Sequence, residues 1–204
     1  MKDFADSHNF QFFEKIFKKT PRARFLSLSA NNGLNKKDVI EFYYRGFKVN
    51  IFEHFYFTGD KQRTIKRITM AEILFTKTSF PHILFVRPAI RFSENIFRYK
   101  SDVEIKPSHS LKDFRLYVTR GYQTEALQIF TLDFLHYLNY QSPVFGLEFV
   151  KDKLYIFEFK EIYSREYLDD LLEIIEKVID FVGEKADRLH DDFDSLHTFF
   201  RDRK

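Results

Sequence analysis

The stretch VIEFYYRGFKVNIFEHFYFT, Val39 to Thr58, decides the fold. Apolar and polar residues alternate with a period of two on both sides of Arg45-Gly46, where glycine can take a positive φ at no steric cost. The pattern predicts two strands, Val39–Tyr44 and Phe47–Thr58, folded into a hairpin. In the second strand Phe47, Val49, Ile51, Glu53, Phe55 and Phe57 share one face, and Lys48, Asn50, Phe52, His54, Tyr56 and Thr58 share the other. Glu53 is therefore a carboxylate among apolar neighbours, which is costly unless a cation or several donors satisfy it. Such a group is a candidate general acid or base, with His54 beside it. It is equally the signature of a structural ion pair, for which Arg67 on the next strand is the candidate partner. A β-bulge that flips the register would also remove the conflict. The structural readings are favoured over catalysis.

Working outward, Thr64–Thr76 pairs back across the loop Gly59–Arg63. Further strands are expected at His82–Arg87, Phe97–Ile105 and Phe114–Thr119, and a second hairpin joins Val144–Val150 to Leu154–Lys160 through Lys151-Asp152. Helical spacing marks Ser7–Lys19, with Phe10, Phe13, Ile16 and Phe17 on one side. It recurs over Tyr122–Tyr140, with Leu127, Phe130, Phe134 and Leu138 on one face. From Arg165 the stripe Leu168, Leu171, Ile175, Val178 and Val182 defines a C-terminal helix. Past Gly183, the positions Leu189, Phe193, Leu196 and Phe200 resume its phase, so one long helix or two collinear ones are expected. The chain thus reads as α+β: a mostly antiparallel sheet of about six to eight strands packed with an N-terminal, a middle and a long C-terminal helix. The expected divisions are residues 1–37, an N-terminal helix and loop; 38–182, the α+β domain; and 183–204, a helical extension.

The residues Tyr44, Gly46, Val49, Ile51, Phe52 and Tyr56 carry a likeness to a known pattern. The segment resembles a family of uncharacterised bacterial proteins, a domain of unknown function with a Tyr-x-Gly and Val-x-Ile-Phe-Asp-Tyr hairpin motif. Glu53 stands where that pattern has aspartate, and His54 where it has an aromatic residue. The resemblance extends over residues 38–182 and implies one domain in an often membrane-associated family. It implies no activity and no catalytic residue.

Composition narrows the classes further. In 204 residues, 44% hydrophobic and 31% charged, the chain has the balance of a globular protein with its own core. Its 27 Phe and 11 Tyr make that core aromatic. The absence of cysteine excludes disulfides, thiolate nucleophiles and cysteine-based zinc sites. Asp3, Asp6 and Glu14 interrupt the first apolar residues, which do not read as a secretory signal. No run of 18 apolar residues suggests a membrane span, so the expected location is cytoplasmic. P-loop, dinucleotide-binding, nucleophile-elbow and zinc-protease signatures are missing, and no cofactor is implied.

The net charge of +3 conceals an asymmetry: residues 61–120 carry 13 Lys and Arg against 5 Asp and Glu, whereas residues 121–204 carry 10 against 18. Mutual neutralisation within the fold is the favoured reading. The basic block also offers Lys61, Arg63, Lys66 and Arg67 as anion-binding candidates for nucleic acid or an anionic membrane headgroup. On a C-terminal helix, His190, Asp194 and His197 share a face and are weak metal-ligand candidates. The apolar continuation past Gly183 is expected to pack against the N-terminal Phe10, Phe13 and Phe17 of the same chain or against the same stripe of a second chain, and a homodimer through the C-terminal helix is the favoured reading. The function expected is that of a non-enzymatic binding or scaffold module of a bacterial cell. The alternatives are an anion-binding module built on the 61–120 block and, less favoured, an enzyme using Glu53 and His54.

Overall fold

The computed structural model describes residues 1–16, 36–58, 64–76, 78–86, 102–105, 114–140, 145–158 and 164–201, with side chains omitted for 16, 55–58, 64–67, 102, 184 and 187–201. In chain order the elements are α1 (Lys2–Ser7), β1 (Gln11–Ile16), β2 (Lys36–Tyr44), β3 (Phe47–Thr58), β4 (Thr64–Leu74), β5 (Phe80–Val86), β6 (Asp102–Ile105), β7 (Arg115–Thr119), α2 (Gln123–Ile129), α3 (Leu132–Tyr140), β8 (Gly146–Lys151), β9 (Lys153–Phe157) and α4 (Arg165–Arg201). The strands form one sheet in the order β1-β2-β3-β4-β9-β8-β5-β7-β6. Every pairing is antiparallel. The second hairpin, β8–β9, is inserted between β4 and β5, so the two halves of the sheet are stitched through it.

The Arg45-Gly46 turn forms as its residues demand, with φ of 48° and 84° at the two central positions of a two-residue hairpin. It is docked onto the long helix: Arg45 Nε lies 3.1 Å from Asp180 Oδ1, and the Tyr44 hydroxyl donates to the same oxygen at 3.5 Å. The helix-side face of the sheet presents Val49, Ile51, Ala71, Ile73, Ile83, Phe85, Phe149 and Ile156 to the stripe Leu168, Leu171, Ile175, Val178 and Val182, all buried in one cluster. The apolar periods of sheet and helix thus meet in a single core.

Three expectations are corrected: the N-terminal helix, the number of strands and the unbroken middle helix. The helix expected over Ser7–Lys19 is confined to Lys2–Ser7, and Gln11–Ile16 runs instead as edge strand β1 against β2. The backbone turns at Asn9, φ 56°, and Phe10 stacks on Phe42 at 4.3 Å. The open hydrogen-bonding edge of β2 outweighs a marginal helical period, because a short helix gains little stability by itself. This strand raises the count to nine. The span Tyr122–Tyr140 is broken into α2 and α3 at Phe130, whose φ of −85° and ψ of 63° are not helical. Phe130 is drawn between Phe85 and Phe134, with ring centroids 5.2 and 5.6 Å away. The break takes Leu127 off the shared apolar face and leaves it 51% exposed. Of the two forms expected for the C-terminal segment, the structure has the first: α4 runs through Gly183 as a single helix of 37 residues. A Cβ at Gly183 would come within 3.0 Å of the Phe47 ring, so glycine there serves close packing on the sheet.

Candidate functional site

Strand alternation sends a second set of side chains to the face opposite the helices. Asn50, Phe52 and His54 on β3, Met70 and Glu72 on β4, Lys153, Tyr155 and Phe157 on β9, Glu148 on β8, and His82 and Leu84 on β5 all lie there, and all are buried. The sheet is therefore buried on both faces. Its registers align one row across six strands: Asn50, Glu72, Tyr155, Glu148, Leu84 and Tyr117.

Glu72 is the hub of that row. Lys36 Nζ and Asn50 Nδ2 donate to its Oε1 at 2.5 and 3.1 Å. Lys153 Nζ and the Tyr155 hydroxyl donate to its Oε2 at 2.8 and 3.1 Å. Lys36 comes from β2 and crosses β3 to reach β4, its ammonium 4.7 Å from the centre of the Phe52 ring. Fully apolar neighbours, Phe52, Met70 and Phe157, floor the cluster on one side. On the other side lies the next row, in which Lys48 and Leu74 are half-exposed and Lys153 is buried. Lys48, with a 32% exposed side chain, pairs there with Glu41 at 2.7 Å.

The charges follow from this geometry. Burial works against the ionised form of Glu72, but the ammoniums of Lys36 and Lys153 outweigh it and hold the carboxyl below its ordinary range. Burial lowers the pKa of Lys36 in spite of Glu72. Burial, then the charge of Glu72, pushes the Tyr155 phenol far up, so it stays a neutral donor. A carboxylate has about four lone-pair sites, and here four donors occupy them. Glu72 is thus held ionised, with both oxygens engaged by donors. Further along the sheet, His82 Nε2 lies 2.8 Å from Glu148 Oε1, a second buried pair.

The sequence-predicted residues are placed differently. Glu53 and His54 are 5% and 1% exposed, but as consecutive strand residues they point to opposite faces and are not brought together. Glu53 faces the helix side, with Lys37 and Thr69 as its cross-strand neighbours. Neither it nor His54 lacks a partner. A bulge does occur, but on β2, where Lys37 opposes Glu53 and Ile40 opposes Ile51; the extra residue falls at Asp38, φ 50°. It does not flip Glu53. Arg67 opposes Phe55 in the register. Lys61 and Arg63 lie outside the described residues, as do the side chains of Lys66, Arg67, His190, Asp194 and His197. Among the described residues, no group of three His, Asp or Glu is arranged to hold a metal ion. None of the helices searched there is long and apolar enough to cross a membrane.

The Glu72 cluster escaped sequence reasoning because Glu72, Lys153 and Glu148 occupy polar positions of alternating strands, where solvent exposure is the default. The signal that could have found it is the apolarity of the same face: Phe52, Met70, Leu84 and Phe157 sit in register with these polar residues. A strand apolar on both faces is buried on both.

No protein-family model matches the chain, and comparison with curated proteins finds no match. Among solved structures, the chain is similar to the crystal structure of the mycobacterial trehalose monomycolate transport factor A, TtfA. The TM-score is 0.64 at 13% sequence identity, covering 89% of this chain and 91% of that one. The likeness extends to the fold.

Proposed function

We propose that the chain is a non-enzymatic binding or scaffold module of a bacterial cell, acting in the cytoplasm. The observation that carries this reading is the saturation of Glu72: the most elaborate polar centre among the described residues has its acid committed to four donors. A centre of this kind recognises and holds; it does not transfer protons. The structural neighbour is described as a transport factor, a role that names no reaction. The hairpin resemblance, to a family without known activity, is compatible with the same reading.

Two finer features belong to it. The basic residues Lys61, Arg63, Lys66 and Arg67 provide a second, anion-binding reading, which rests on the charge excess of residues 61–120. A second copy of the chain pairs through the far end of α4, where the sequence positions of the apolar stripe continue to Phe200.

The test is a panel of ester, phosphoester and glycoside substrates presented to the purified full chain. No turnover above background is expected. Turnover that disappears in Glu53→Gln or His54→Ala, with the fold intact by circular dichroism, overturns the proposal. For the second reading, retention on heparin should fall in the Lys61→Glu, Arg63→Glu double variant.

A further inference from the structure

The Glu72 cluster holds two ammoniums against one carboxylate. Lys36 and Lys153 are both buried, and among the described residues each donates a hydrogen bond only to Glu72, although an ammonium has three N–H groups. The other charged pair at this edge, Lys48 with Glu41, is balanced. Among the groups in direct hydrogen-bond contact, one positive charge is thus in excess, in surroundings where an unbalanced charge is costly; Glu148 and Asp152 act on Tyr155 from outside that contact set. A second observation points the same way. Asn50 is 7% exposed, and its Oδ1 is buried with no hydrogen-bond partner among the described residues. Only its Nδ2 can donate to Glu72, so the orphan carbonyl oxygen is directed away from that carboxylate.

We infer that the Lys36–Asn50–Glu72–Lys153 cluster is a binding site for a phosphomonoester group. The ligand must carry one negative charge that accepts from the spare N–H groups of Lys36 and Lys153, and a donor for Asn50 Oδ1. A monoanionic phosphomonoester has both, an O⁻ and a P–OH on one phosphorus. A carboxylate has the charge without the donor, and Glu72 already supplies a carboxylate. The half-exposed row of Lys48 and Leu74 borders the cluster and is its side of approach. The same chemistry serves a soluble phosphate ester or a phosphate headgroup in a membrane.

The inference rests on the reading of the chain as a binding module, and it is distinguishable from it: substrate turnover removes that reading, whereas failure to bind phosphate removes only this site. The experiment is thermal unfolding of the full chain in inorganic phosphate, with acetate and chloride at equal ionic strength, alongside a ³¹P titration. At a hundred-fold excess over Kd, phosphate should raise the Tm by about 5–10 °C. Acetate should do far less. Lys153→Met leaves one ammonium on one carboxylate and should abolish the shift, while Lys61→Glu with Arg63→Glu should preserve it. Should Lys153→Met not fold, Asn50→Ala, which keeps both ammoniums, should weaken phosphate at least ten-fold. Glycerol phosphate matching inorganic phosphate identifies a soluble ester; saturable binding to phosphatidic acid vesicles alone identifies the headgroup. Equal Tm in phosphate and chloride with no vesicle binding, or a shift unchanged in the folded variants, overturns the site.

Discussion

Lys36 on β2 and Glu72 on β4 meet across the whole of β3, with Nζ 2.5 Å from Oε1, although their strands are not neighbours. The contact is possible because lysine has a stem long enough to span an intervening strand, and because Phe52 on β3 gives that stem and its charge a ring to lie against. It fastens the β2 edge to the centre of the sheet independently of the backbone ladder.

Removing Glu72 should therefore be far more damaging than its single side chain suggests. Glu72→Ala leaves Lys36 and Lys153 buried without their acceptor, and should cost about 3–5 kcal/mol in urea unfolding. Replacing Lys36, Glu72 and Lys153 together by Met should recover most of that loss, since an apolar cluster of similar volume removes the orphaned charges. A triple variant less stable than Glu72→Ala would show that the cluster contributes net stability of its own.

Acid should find the same weak point. The folded-state pKa of Glu72 is lowered below its ordinary 4.5, with Lys36 and Lys153 outweighing the opposing effect of burial. Above 4.5 both folded and unfolded chains carry the charge, and its stabilising contribution is complete. As the pH falls below 4.5 the unfolded chain takes the proton first, so stability is lost through the window down to the lowered folded value. Glu72→Gln should flatten the stability profile in that window, measured as urea midpoint from pH 6 to pH 3. An unchanged slope would move the acid sensitivity to other carboxylates.

Packing gives two further expectations. Ile175 is fully buried in the centre of the α4 stripe, and Ile175→Ala should cost about 2–5 kcal/mol by methyl loss and cavity formation. Gly146 is different: a Cβ there would drive into the ring of Phe157, which is itself fully buried. Gly146→Ala should therefore destabilise by about 1–3 kcal/mol through overpacking. Chemical denaturation of the two variants checks both values.

How much of this was legible in sequence depended on the range of the determining interaction. The β2–β3 hairpin and the α4 stripe were readable because their periods and the Arg45-Gly46 turn are local. β1 was not, because Phe10 and Phe13 fit a helical period as well as a strand, and only the distant edge of β2 decides between them. The break at Phe130 is set by Phe85 and Phe134, the former 45 positions earlier in the chain. The Glu72 site is the extreme case. It joins residues from β2, β3, β4 and β9, so its chemistry exists only in the folded register. Glu53 drew attention because its burial was visible within one strand, whereas the burial of Glu72 depends on which strands flank it.

The last expectation concerns self-association. Helix α4 spans 37 residues, about 55 Å at 1.5 Å per residue. Its buried stripe follows from Leu168 through Val182 to Ala186. The helix continues to Arg201, and Leu189, Phe193, Leu196 and Phe200 occupy positions three or four residues apart that extend the same phase. The sequence thus continues an apolar stripe past the last described buried residue of the helix, and two-fold pairing of like stripes is the commonest route to a dimer. Light scattering on the full chain at high micromolar concentration should report twice the 24.8 kDa chain mass. A chain ending at Ala186 should run as a monomer while keeping the circular dichroism of the sheet, since the core stripe is intact. A monomeric full chain under those conditions would refute pairing through α4.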